Sequence, residues 1–371
     1  MSARAHFLYD RGIYLLSHSV GLPPANTAEV WRRDFLAPWR QASEENWPQW
    51  LSVVEDFRAA VAALLGGQSA DVCPQVNLSS ALTKIVGSLS FAADRSGLLC
   101  AEEDFPSMGF VLQQACAPGQ TPRYLSADLD LQDPQVWHDV LSQDVGLALI
   151  THVQSNTGRQ LPVAEITRLC RERGIISVVD VAQSIGVLPI DLGQWQADFV
   201  IGSCVKWLCG GPGAGFLWVN PDVLGQCEPK DVGWFSHEAP FEFDIHNFRY
   251  ARDAMRFWGG TPSVQPFAIA TNSLETLNRV GIEQVRAHNL ALTDQLLQEV
   301  SDEHCLSPRD PALRGGTAVL QYPEEQLQRI AGAMRESDIA FDLRRTGMRL
   351  SPHIYNDCEE IEAVIDCLAE G

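Results

Sequence analysis

Short apolar runs alternate with helically spaced segments through the middle of the chain. The runs lie at 97–100 (GLLC), 146–153 (GLALITHV), 175–179 (IISVV), 198–202 (DFVIG) and 214–219 (AGFLWV). The run at 175–179 is β-branched and apolar at almost every position, the mark of a strand covered on both faces. Between runs, 162–173 places Val163, Ile166 and Leu169 on one helical face, with Pro162 suited to a first turn. This βαβ alternation predicts a mostly parallel sheet with helices on its faces. Upstream, 50–65 reads as an amphipathic helix stopped by Gly66-Gly67, and 81–93 as a second helix. The pattern changes after about residue 255. Segments 266–280 and 282–300 read as long helices, and the remainder as a smaller α+β unit. The predicted organisation is an N-terminal segment 1–40 that contributes to the active site and the small domain, a large domain 41–255, and a small domain 256–371. Segment 225–262 is rich in Gly, Pro and aromatics without periodicity, and an irregular stretch of that length is usually functional.

The 371 residues are enough for a large domain and a smaller one. Hydrophobic residues make up 46% and charged residues 20%, as in an ordinary globular protein. The balance of 27 Lys+Arg against 47 Asp+Glu gives −20. Without a cationic cluster to displace counterions from phosphates, nucleic acid is not expected as a partner. No apolar run is long enough for a membrane span, and residues 1–16 do not read as a secretory signal, so a cytoplasmic location is expected. The ten cysteines form no C-x-x-C pair and are expected to be thiols. Cys204 and Cys209 flank Lys206 without a zinc-like spacing, and no metal is expected.

Ligands of open α/β sheets sit beyond the carboxyl ends of strands. Three polar residues fall there: Asn156, Asp180 and Lys206. An Asp in such a place also serves as a helix cap, and a lone Lys as a solvated charge. Together they match what a pyridoxal ring needs. A carboxylate keeps the pyridine nitrogen protonated, and a lysine forms an imine with the aldehyde and later moves protons. Ser79 and Ser80 precede the predicted helix at 81, whose first amides could face a phosphate. The same residues would equally make a plain N-cap.

The motifs around these positions resemble the pyridoxal 5′-phosphate (PLP) enzymes of aminotransferase class V, fold type I. Asp180-Val181-Ala182-Gln183-Ser184-Ile185-Gly186 looks like that class's D-x-A-H/Q-x-x-G segment, and Ser203-Cys204-Val205-Lys206 matches its S-x-x-K lysine site. The stretch 349–356 (RLSPHIYN) is similar to its R-x-S-x-x-x-Y-N segment. Within the class the likeness is strongest to kynureninase. The stretch 14–22 (YLLSHSVGL) resembles Y-L-x-x-N-S-L-G-L, 103–107 (EDFPS) the N-F-P-S/T segment, 233–237 (GWFSH) G-W-F-G-H, and 256–262 (RFWGGTP) the bacterial R-F-x-x-G-T.

The resemblance implies the fold, the cofactor and a set of roles. Lys206 carries PLP and Asp180 holds its ring nitrogen. Phe105 stacks on the ring. The backbone amides of Ala81 and Leu82, with Ser203, hold the phosphate. Asn156 and Gln183 lie near the phenolic oxygen. Trp234 and Thr261 reach the cofactor from a partner subunit, so a homodimer is implied. Arg349 binds the substrate's α-carboxylate, with His18 also at the substrate. The implied activity is a kynureninase-like hydrolase that cleaves the Cβ–Cγ bond of an L-amino acid and releases alanine. A class-V aminotransferase and a C–S β-lyase are the alternatives. Kynureninases carry Tyr where this chain has Val205, Asp where it has Met108, His where it has Gln183 and Asn where it has His18. A cysteine desulfurase needs a nucleophilic Cys on a loop before the C-terminal Arg, and 341–348 (FDLRRTGM) has none.

Overall fold

The computed structural model describes residues 3–9, 12–41, 45–115 and 119–369. Its strands, in chain order, are β1 (Ile13–Tyr14), β2 (Val72–Gln75), β3 (Gly97–Ala101), β4 (Thr121–Leu125), β5 (Val145–Thr151), β6 (Ile176–Asp180), β7 (Phe199–Ser203), β8 (Gly215–Val219), β9 (Ala318–Leu320), β10 (Ile339–Ala340), β11 (Asp342–Arg344) and β12 (Gly347–Leu350). Seven of them make one sheet in the order β2-β8-β7-β6-β5-β3-β4. Only the pairings of β8 with β7 and with β2 are antiparallel. The predicted α/β architecture with a mostly parallel mixed sheet is therefore the one observed.

All five apolar runs became strands, and β5 and β8 are buried at every position. Two strands of this seven-stranded sheet had no signal in the sequence, and both lie at its edges. β4 is largely exposed on both faces, so its residues (TPRYL) never formed an apolar run. β2 contains Pro74, whose missing N–H is tolerated at an edge but argues against a central strand.

Helix Val163–Arg173 ends at Gly174, and helix Trp47–Leu65 at Gly66, each glycine in the left-handed conformation that terminates a helix. The helix predicted at 81–93 runs instead from Leu78 to Ser88. Its cap is Asn77, whose side-chain oxygen accepts from the Ser80 amide at 2.8 Å, not one of the serines.

Past residue 256 the chain does not leave the large sheet's surroundings at once. Helix Gln265–Val280 packs on Trp47–Leu65, with Phe57 and Phe267 rings 4.8 Å apart. After Gly281, helix Ile282–Gln298 joins a second core around the antiparallel sheet β11-β12-β9. The N-terminal segment ties the two parts together. β1 pairs with β10, Leu15 is buried in the second core, and the Gly21 amide donates to the Val205 carbonyl at 2.9 Å. A Cβ at Gly21 would stand 2.2 Å from the Lys206 carbonyl oxygen, so only glycine permits this approach. Segment 225–262 contains two single 3-10 turns, Trp234–Ser236 and Ala254–Phe257, joined by loops.

Candidate active site

The carboxyl ends of β5, β6 and β7, the start of helix Leu78–Ser88, the turn at His18 and the β11–β12 hairpin enclose a pocket of about 370 Å³. Lys206, Asp180, Gln183, Ser203, Phe105, Arg349 and His18 all line it. A larger cleft of about 550 Å³, between the N-terminal helices and Gln265–Val280, holds none of the predicted residues.

Asp180 closes β6, in register with Thr151 on β5 and Ile201 on β7. One of its oxygens accepts from the Ala182 amide at 2.8 Å. Burial raises its pKa, with the Ala182 amide and the Lys206 charge acting against that rise. Lys206 shows the complement: burial lowers its pKa, the Asp180 charge opposes this, and Arg349 reinforces it. The Lys206 Nζ lies 5.7 Å from the Phe105 ring centre. Among the described residues, no acceptor lies within hydrogen-bond distance of that amine. The other two lysines are occupied elsewhere. Lys84 donates to the Phe257 and Trp258 carbonyls, and Lys230 sits on the surface beside Glu228.

Gln183 is held at both ends. Its Nε2 donates to the His18 carbonyl at 3.1 Å, and its Oε1 accepts from the Trp207 indole N–H at 3.1 Å. An indole can only donate, which fixes the amide's orientation and leaves one Nε2 hydrogen free. Trp207 is positioned in turn by His353, whose Nε2 donates to the Trp207 carbonyl at 3.0 Å. His18 directs Nδ1 to Ser351 Oγ at 2.7 Å and Nε2 toward Asp342 at 3.5 Å. Burial lowers the His18 pKa, against the pull of Asp342.

Two expectations need correction or relocation, those for Ala81 with Leu82 and for Asn156. The Ala81 amide bonds the Asn77 carbonyl inside the helix, and Ala81 and Leu82 are fully buried, so neither can hold a phosphate. The helix starts three residues earlier than predicted, and the amides without an intrahelical acceptor belong to Leu78 and Ser79, both at the pocket wall. Asn156 is not itself a lining residue, but its neighbour Ser155 is. Trp234 and Thr261 lie outside the pocket, Trp234 among Trp47, Phe235, Phe241 and Phe243, and Thr261 in a hollow near Lys84.

Sequence reasoning missed Asn77, Trp207, Ser155, Asp342 and Arg344. Asn77 carried a capping signal that the two serines masked. Asp342 and Arg344 carried the alternation of a strand facing Arg349 across a turn, a signal too short to stand alone.

The donor set fits PLP. Phe105 is 52% exposed and offers an open ring face, Lys206 an uncommitted amine, Asp180 a second carboxylate oxygen, and Leu78 and Ser79 free amides at a helix start. The family profile described as Aminotransferase class-V matches residues 40–364. The chain belongs to the class-V aminotransferase family. Its cofactor is therefore pyridoxal 5′-phosphate. Among relatives in this family, the kynureninase of Deinococcus radiodurans is 30% identical, over 90% of this chain and 82% of that protein. The kynureninase of Shouchella clausii is 28% identical over 98% and 88%, and an uncharacterized aminotransferase of Bacillus subtilis 26% over 87% and 85%. Among solved structures, the cystine C–S lyase C-DES in complex with cysteine persulfide superposes with a TM-score of 0.87. It is 22% identical, with 97% of this chain and 98% of that one covered. That likeness is one of fold. Among the described residues, no helix is long and apolar enough to cross a membrane.

Proposed function

We propose that this class-V enzyme is a kynureninase-like hydrolase that cleaves the Cβ–Cγ bond of an L-amino acid and releases alanine. One observation carries the reading: Lys206, Asp180, Phe105, Gln183, His18 and Arg349 converge on a single pocket, in a chain similar to kynureninases over most of its length. When bound, PLP supplies an aldehyde for imine formation and a ring that accepts electrons from the substrate's Cα. Asp180 keeps a proton on the ring nitrogen. Phe105 would lie on the ring face, and the spare Gln183 hydrogen would serve its phenolic oxygen. Ser203 and the amides of Leu78 and Ser79 hold the phosphate. Arg349 grips the α-carboxylate. Lys206, less basic through burial, takes the Cα proton and returns it, a step of the kind that contributes about 10² to 10⁴ in rate. His18 faces the substrate.

A homodimer belongs to the same reading, with Trp234 and Thr261 reaching the partner's cofactor. Around Trp234 the chain exposes Phe241, Phe243, Ile245 and Phe248, with Ile245 at 90%, an apolar surface suited to a second copy.

A second reading, a C–S β-lyase, is favoured by Val205 and Met108. Acyl cleavage needs water added at Cγ and a proton delivered to Cβ, and neither side chain can donate or accept one. A departing thiolate needs neither. The holoenzyme is to be offered amino acids with β-acyl and β-thio side chains and the products identified by mass. Alanine with an equimolar carboxylic acid is expected. Pyruvate, ammonia and a thiol would replace the first reading with the second, and a keto acid formed only with an amino acceptor would point to transamination.

A further inference from the structure

Arg349 does not stand alone. In the β11–β12 hairpin it lies directly opposite Asp342, which places both side chains on one face of the sheet. Arg344, two residues along β11, shares that face. Arg349 donates to Asp342 Oδ2 from Nε, at 2.8 Å, and from Nη2, and to the Ser155 carbonyl from Nη1 at 3.0 Å. Arg344 Nε reaches the same oxygen at 3.1 Å, and His18 Nε2 faces it at 3.5 Å. Burial alone would raise the Asp342 pKa. The nearby His18 ring, the hydrogen bonds from Arg349 and the charges of Arg349 and Arg344 outweigh it and hold the carboxyl well below its usual range.

A carboxylate on an arginine meant for a substrate carboxylate can act in two opposite ways. It can occupy the site as a competitor, or fix the guanidinium for the ligand. Counting donors separates them. A guanidinium has five N–H groups in one plane. Asp342 takes Nε–H and the Nη2 hydrogen on the same edge, and Ser155 takes one on Nη1. Two remain, one on each terminal nitrogen, and the free Nη2 hydrogen lies on the edge away from Asp342. A second carboxylate can therefore bind without displacing the first.

We propose that Asp342 is a positioning residue, which holds the plane of Arg349 so that its unused N–H groups stay open to the α-carboxylate. This rests on the assignment of Arg349 to the substrate carboxylate. Asp342 touches neither substrate nor cofactor in this role.

The test titrates the holoenzyme with L-alanine and, separately, with L-alaninamide, which lacks the carboxylate, following the cofactor's visible absorbance. Asp342→Ala should weaken L-alanine about tenfold, the loss of roughly one well-aligned charged hydrogen bond, and leave L-alaninamide within about twofold. Asp342→Asn keeps an acceptor oxygen for Nε and should lose less. An unchanged or tightened L-alanine constant in Asp342→Ala would overturn the proposal, as would an equal loss for both ligands. Arg349→Ala separates the two levels. If it discriminates between acid and amide as the parent does, the assignment of Arg349 is what fails.

Discussion

His353 gives the most quantitative prediction, because its tautomer follows from its partners. The ring is fully buried, stacked between Trp207 (centres 5.7 Å apart) and Tyr355 (5.1 Å). The Trp207 carbonyl can only accept, so Nε2 carries the hydrogen. The Ile354 amide can only donate, at 2.8 Å, so Nδ1 must keep its lone pair. A second proton would break that bond inside an apolar stack. Burial lowers the pKa from 6.5 to about 4, with the Trp207 carbonyl partly opposing the fall. The sign follows from linkage: between about pH 6.5 and 4 the unfolded chain binds the proton and the folded chain does not, so stability falls as the medium is acidified. The loss at about pH 5, relative to about pH 7.5, is about 2 kcal/mol. At about 2 cal/mol/K of unfolding entropy per residue, that is about 2.5 °C in melting temperature for a chain of 371 residues. His353→Gln retains a donor for Trp207, gives up the Ile354 contact and cannot titrate. It should melt lower at every pH, but its drop between about pH 7.5 and 5 should be about 2.5 °C smaller than in the parent. The fully buried His152, also shifted down by burial, to about 3, acts alike in both proteins and cancels. Equal drops, measured by circular dichroism melts of the cofactor-free proteins, would refute the reasoning.

Gly186 has a φ of +97°, and a Cβ there would lie 2.7 Å from the Trp207 carbonyl oxygen. Gly186→Ala should cost on the order of 1–3 kcal/mol in strain and weaken cofactor retention on dialysis; an unchanged melt and full retention would contradict this. Asn77→Ala removes the cap that sets the start of helix Leu78–Ser88, with an expected loss of about 1 kcal/mol and several-fold weaker PLP binding, read by fluorescence titration. Inorganic phosphate should compete with PLP less effectively in that variant.

The fold was legible where burial on both faces forced apolar runs, as in β5 and β6. It was not legible at the edges, where β4 is largely exposed and forms no apolar run, and where the four buried residues of β2 include Pro74 and Gln75. Lys206 and Asp180 could be found because strand ends concentrate polar groups beyond an apolar run. The start of helix Leu78–Ser88 was misplaced by three residues, since Asn77, Ser79 and Ser80 are all competent caps and only tertiary packing selects among them. Asp342 and Trp207 were hidden for another reason. Trp207 acts through Gln183, 24 residues away on another strand end, and the Asp342–Arg349 pairing across a turn left only a strand alternation too short to read alone.

The most direct measurement concerns Lys206. Reduction of the PLP-loaded protein with borohydride, followed by digestion and mass spectrometry, fixes the cofactor to whichever amine holds it. Of the three lysines, the pyridoxyl mass should appear on the peptide carrying Lys206 and be absent from those of Lys84 and Lys230. Label on either of those two, or no label despite bound cofactor, would contradict the account.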